Sequence, residues 1–167
     1  MEEVRYEEYA KEYLEQLKKG AFLTVKGARD NTMTIGWGTI GYMWKKPVLM
    51  VMVRPTRHSY ALLEQAREFT VSVPLHQNLQ DQLLGCGKHS GRDMDKFKEF
   101  GLDKQNALSL LETPVVGNCR LHYECRLLYR HPLDPEELDE VIRDTAYTQG
   151  DYHVLYYGEV LESYLTD

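Results

Sequence analysis

The chain has 167 residues, 43% of them hydrophobic and 28% charged, with a formal net charge of −6. That is about one domain's worth of chain, long enough to bury a core without staples. An acidic balance offers no global field to draw in nucleic acid, so any anion site has to be built locally. The three cysteines, Cys86, Cys119 and Cys125, include no C-x-x-C pair, which argues against a disulfide framework or a zinc knuckle and suits a cytoplasmic setting.

The opening segment, MEEVRYEEYAKEY, is too acidic and polar for a signal peptide. Tyr9, Tyr13 and Leu17 recur at spacing four, predicting an amphipathic helix that stops at Gly20. Ala21 to Lys26 reads as a first strand, followed by a turn at Gly27 and Asp30-Asn31. Thr32 to Trp44 is rich in β-branched and aromatic residues, punctuated by Gly36, Gly38 and Gly41. It belongs to the longest uncharged run, which is too short for a membrane span of about 20 apolar residues. Val48 to Val53 is continuously apolar, as in a central strand covered on both faces. Arg57 to Ala66 predicts a second helix with Thr56 as its N-cap, and Phe69 to Val73 a strand ending at Pro74.

Residues 77 to 111 are the least regular. Leu79, Leu83 and Leu84 suggest a short helix, followed by a polar glycine-bearing loop, GCGKHSGRDMDKF, and short helical turns. Cys119 to Tyr129 alternates clearly. Cys119, Leu121, Tyr123, Cys125, Leu127 and Tyr129 are expected on an apolar face, and Arg120, His122, Glu124, Arg126 and Arg130 on a polar one, interrupted at Leu128. Asp134 to Ala146 reads as an acidic surface helix, and Tyr152 to Tyr164 as a last strand. Six or seven strands without long intervening helices argue against a parallel sheet and for an antiparallel barrel with peripheral helices. No repeat or low-complexity linker divides residues 1–167, so one domain is expected.

Four constellations could carry chemistry. Arg54-Pro55-Thr56-Arg57-His58-Ser59 lies where a buried strand feeds a helix, bringing arginine forks, hydroxyls and free amides together as a phosphate needs. A surface turn with solvated arginines has the same residues. Asn31 to Trp37, NTMTIGW, combines glycines that admit close approach with small donors and an indole, as a flat ring would need. The same glycines could simply mark barrel corners. Lys88-His89-Ser90-Gly91-Arg92-Asp93, with Lys96 beyond, puts three permanent cations into nine residues of a loop, either functional or solvated. His153, in Gly150-Asp151-Tyr152-His153, precedes an apolar strand and could face a site or serve structure. No histidine spacing suggests a metal, and there is no G-x-S-x-G elbow, P-loop or G-x-G-x-x-G opening a helix.

Taken in order, NTMTIGWGTIGYMWKKPVLMVMVRPTRHSYALLE, FTVSVP, SGRDMDKF and GDYHVLYYGEV resemble the flavin reductase-like family, especially its flavoredoxin branch. The resemblance spans residues 20 to 161. It implies a Greek-key split β-barrel of the FMN-binding type, forming a homodimer with FMN near the subunit interface. Under it, Asn31, Thr34, Ile35, Gly36 and Trp37 would contact the isoalloxazine, and Arg54, Thr56, Arg57 and Ser59 would hold the phosphate. Ser90, Gly91, Arg92 and Lys96 would close over the cofactor, and His153 would stand near the reacting face. NADH, NADPH or a redox protein partner would supply electrons. A non-catalytic barrel binding a phosphorylated ligand or nucleotide is the alternative, and needs only the Arg54–Ser59 site.

Overall fold

The computed structural model describes residues 1–110 and 112–166. After a two-residue strand, β1 (Glu2–Glu3), helix α1 (Ala10–Leu17) turns Tyr13 and Leu17 inward from one face, as the spacing of four requires. Two hairpins follow, β2 (Ala21–Val25) with β3 (Asn31–Ile35), and β4 (Gly38–Met43) with β5 (Lys46–Val53). Helix α2 (His58–Leu63), strand β6 (Glu68–Val73), helix α3 (Gln80–Lys88) and helix α4 (Lys96–Glu99) come next. A short ribbon of β7 (Lys104–Gln105) and β8 (Val115–Val116) precedes strand β9 (Leu121–Pro132), helix α5 (Glu140–Ala146) and strand β10 (Val154–Leu165).

The main sheet runs β3-β2-β6-β9-β10-β5-β4, antiparallel throughout, with β1 added to the far end of β10. The expected mainly-β split barrel with peripheral helices is therefore present. The run from Thr32 to Trp44 divides between β3 and β4, which lie at opposite ends of the sheet path. Gly36-Trp37 is the corner where the chain crosses from one end to the other.

Alternate side chains of the long strands fill the barrel. Leu23, Leu49, Val51, Phe69, Val71, Leu121, Tyr123, Cys125 and Tyr156 are fully buried there, and the Tyr13 ring meets Tyr123 edge-on at 5.6 Å. Burial of each such side chain stabilises by about 1.5–3 kcal/mol. The break in alternation at Leu128 is a β-bulge: Tyr157 pairs with Tyr129 and Gly158 with Leu127, leaving Leu128 unpaired.

The outer face departs from expectation. His122 and Glu124 are expected on the polar face of β9, yet both are buried. Residues 108–110 fold over Glu124, whose carboxylate accepts hydrogen bonds from the amides of Leu108, Ser109 and Leu110 and the hydroxyls of Ser109 and Tyr164, while the His122 ring shares hydrogen bonds with the Ser72 and Thr166 hydroxyls. Cys119 likewise leaves the barrel face. It joins Phe22, Leu83, Cys86, Phe97, Leu102 and Val116 in a second apolar cluster outside the barrel. That cluster pins α3 and α4 against β2. Helix α3 also runs on through Gly85–Lys88, which the sequence assigned to loop.

Candidate functional site

The β5–α2 junction forms one wall of an open polar cleft. Asn31, Thr56, Arg57, His58 and Ser59 line this side, and Cys86, Lys88, Ser90, Arg92 and Lys96 line the other. Asn31 and Ser59 are buried, and the Asn31 amide donates to Ser59 Oγ at 2.8 Å, tying the start of β3 to the first turn of α2. Gly91 packs on this pair. A Cβ there would collide with Asn31 Oδ1, so only glycine lets the 90–92 turn approach so closely.

The cations of the cleft share one property. Arg57 donates to Gly87 O at 3.1 Å, Arg92 to Thr56 O at 3.4 Å and buried Lys96 to Cys86 O at 2.8 Å. These acceptors are main-chain carbonyls. Among the described residues, none of the three, nor Lys88, forms a salt bridge with a carboxylate. Burial, reinforced by Arg57, lowers the Lys96 ammonium to about 8. Burial and the nearby charges of Arg92, Lys96 and Arg29 also lower His58, whose Nδ1 is shut from solvent without a partner. Positive charge thus accumulates uncompensated at one place in an acidic chain.

A second, shallower hollow adjoins the first, and Met33 and Arg57 line both. Thr34, Ile35, Gly36 and Trp37 from the barrel corner, Met52 from β5, Arg54 just past its end, and His153 from the approach to β10 complete it. The Trp37 ring is 5.1 Å from the His153 ring. His153 Nδ1 shares a 2.7 Å hydrogen bond with the Tyr147 hydroxyl. Burial, together with the positive charge of Arg54, drops the His153 imidazole to about 4, so it is neutral at pH 7. The joined space therefore has a cationic end and a flatter, mixed apolar–aromatic end.

The structure brings most of the sequence candidates together, with three changes. Asn31 lies in the cationic cleft rather than in the slot with Thr34–Trp37. Arg54 lines the slot, and its guanidinium donates to Ala146 O and Asp151 O, each at 3.0 Å. Thr56 does not cap α2. Arg57 holds the cap position, and Thr56 donates through its amide (3.3 Å) and hydroxyl (2.7 Å) to the Asp151 carboxylate. Met33, Met52, Cys86 and Tyr147 were not singled out. Met52 was findable from its phase on β5, opposite to Val51 and Val53; Tyr147 had no local signal.

Among the described residues, no group of three or more histidine, cysteine or carboxylate side chains could hold a metal, and no helix is long and apolar enough to cross a membrane. No curated protein matches the chain. Several solved structures do. An FMN-binding protein from Thermus thermophilus is 26% identical, with 87% of this chain and 68% of that one covered and a TM-score of 0.66. A flavoredoxin from Methanosarcina acetivorans is 19% identical, with 89% and 68% covered and a TM-score of 0.68. A Streptomyces globisporus NADH:FAD oxidoreductase is 19% identical, with 88% and 75% covered and a TM-score of 0.66. The latter two share the fold. The family model for the flavin reductase like domain matches residues 20–167, and with the barrel and cleft just described it makes the chain a member of that family.

Proposed function

We propose that this protein is an FMN-dependent oxidoreductase. FMN would place its phosphate among Thr56, Arg57, Ser59, Ser90, Arg92 and Lys96, with Asn31 and Gly91 shaping that pocket. Its ring would lie along Thr34, Ile35, Gly36, Trp37 and Met52, with His153 at the slot. One observation carries this reading: cations bonded only to carbonyls converge beside an open slot, in a chain of net charge −6. A dianionic phosphate is the ligand whose charge and acceptors match such a cleft. Membership of the flavin reductase-like family and the FMN-binding Thermus relative support it.

When bound, FMN would supply the redox chemistry. The chain's own residues supply position and charge. Arg57 and Arg92 grip, and Lys96, held between Cys86 O and the cleft, adds positive charge that is half lost at about pH 8. Met33, Met52 and Trp37 give the slot its apolar and aromatic walls. His153 is held neutral by burial and fixed in orientation by Tyr147, so it can donate or accept a hydrogen bond without adding charge.

NADH or NADPH is the electron donor in this proposal. Steady oxidation of either by the FMN-loaded protein is the expected result. Absence of turnover, with reduction only by a protein donor, would make it an electron carrier instead. Cytoplasmic residence and assembly as a homodimer belong to the same proposal. Exposed Tyr42, Met43, Trp44 and Tyr129, with the Tyr157 ring 5.8 Å from Tyr129, form an aromatic surface suited to a second copy. Sedimentation at micromolar concentration is expected to give a dimer, and a monomer contradicts the pairing.

A further inference from the structure

The segment 146–153 reaches the slot through His153, and its anchoring is unusual. Asp151 has φ +56, a left-handed backbone for a residue with a Cβ, directly after Gly150 at φ +70. Such a conformation is disfavoured for most L residues, less so for Asp, and persists where surrounding bonds hold it. Here the bonds come from one place. Thr56 gives its amide and hydroxyl to the Asp151 carboxylate, and Arg54 gives one N–H to Asp151 O and another to Ala146 O. The Arg54 guanidinium also lies 4.9 Å from the centre of the Tyr147 ring.

Two residues beyond Asp151, His153 turns into the slot. Tyr147, stacked on Tyr152 at 4.9 Å, bonds to the His153 ring, and Trp37 packs on the other side. Each of these contacts depends on where the 146–153 segment sits. The only side-chain acceptor that ties the segment to the β5–α2 junction among the described residues is the Asp151 carboxylate.

We propose that Asp151 is a positioning residue, which locks segment 146–153 onto the Arg54–Thr56 junction and so sets His153 against Trp37 at the slot. Arg54 belongs to the same clamp, acting on the segment's carbonyls rather than on a ligand phosphate. The proposal rests on the flavin reading only for the slot's being the reacting end. The geometric claim concerns the ligand-free chain.

The charged and titratable groups facing His153 are Arg54 and Arg57 from the junction, Asp151 from its own segment and Tyr147 before it. Arg54 and Arg57 disfavour the imidazolium, and Asp151 favours it. Removing the Asp151 charge alone therefore lowers the His153 pKa, whereas releasing the ring to solvent raises it. Two substitutions separate these effects. Asp151→Asn removes the charge but keeps an acceptor for Thr56, and Asp151→Ala removes both.

The test is an NMR pH titration of the ¹⁵N-histidine-labelled, ligand-free full chain, with the His153 signal assigned by its loss in His153→Gln. His153 in Asp151→Ala is expected to titrate at least about one pH unit above His153 in Asp151→Asn. Coincident titrations would overturn the proposal. Trp37 emission, read in a Trp44→Phe background so that it is the sole indole, is expected to change in Asp151→Ala and to be retained in Asp151→Asn. Identical spectra for both would also overturn it. If Asp151→Ala does not fold, Thr56→Val and Thr56→Ser decide. Val is expected to shift His153 upward and Ser to restore it, and no shift with Val counts against the clamp. A parallel FMN titration of the unmodified chain tests the flavin reading by itself. If FMN does not bind while the Ala and Asn variants differ, the clamp stands and the flavin reading fails; the converse pattern fails the clamp alone.

Discussion

At the scale of single residues, the cleft is defined by what its cations lack. Arg57 and Arg92 touch carbonyl oxygens and no carboxylate, so each retains N–H groups and charge for a ligand. Each charge-assisted contact to a phosphate contributes about 1.5–3 kcal/mol. Arg57→Ala and Arg92→Ala are each expected to weaken FMN roughly 10- to 100-fold in a fluorescence titration, and a double variant with unchanged affinity contradicts the phosphate assignment. The residues Arg54, Thr56, Arg57 and Ser59 were legible as a group because strand-to-helix junctions gather donors. Their division of labour was not legible. Nothing in the spacing of Arg54 and Thr56 reveals that Asp151 and Ala146 stand opposite them, since those partners come from a segment more than ninety residues on.

At the scale of elements, apolar patterning identified α1, β2, β5, β6, β9 and β10 well, because each packs side chains into the barrel core. It failed on the outer face of β9. His122 and Glu124 fall on the polar face by pattern, and only distant partners make them buried: Glu124 gathers the amides of residues 108–110, and His122 is bonded to Ser72 and Thr166. The consequence is acid sensitivity. Burial drops His122 from its ordinary 6.5 to about 4. A histidine whose folded pKa is depressed stabilises fully above its unfolded pKa and loses that contribution as pH falls to the folded one. The window is therefore pH 6.5 down to about 4, with roughly 3 kcal/mol at stake for His122. Glu124 adds to the loss at lower pH: burial alone would raise its carboxyl, but the amides of Leu108 and Ser109 and the hydroxyls outweigh that and hold it below the ordinary carboxylate value. Urea midpoints are expected to fall steadily from pH 7 to pH 4, less steeply in His122→Gln. A flat profile contradicts the buried neutral imidazole.

At the scale of the whole molecule, the barrel brings together what the chain keeps apart. Strands β3 and β4 are neighbours in sequence and opposite ends of the sheet, and the Gly36–Trp37 corner between them walls the slot. The corner and slot readings of NTMTIGW describe the same residues. The second apolar cluster, anchored by Phe22 and Phe97, holds the Ser90–Lys96 turn over the β5–α2 junction and so completes the cationic end. Fold class followed from strand count and short connections. The joining of the two hollows depends on closure of the barrel, which no local pattern encodes. The most direct test of a phosphate grip compares FMN with riboflavin, which has the same ring and no phosphate, titrated into ligand-free protein at equal ionic strength. FMN is expected to bind about 100-fold or more tightly, from two charge-assisted contacts, with the advantage collapsing in the Arg57→Ala, Arg92→Ala double variant. Equal affinities for the two flavins would contradict it.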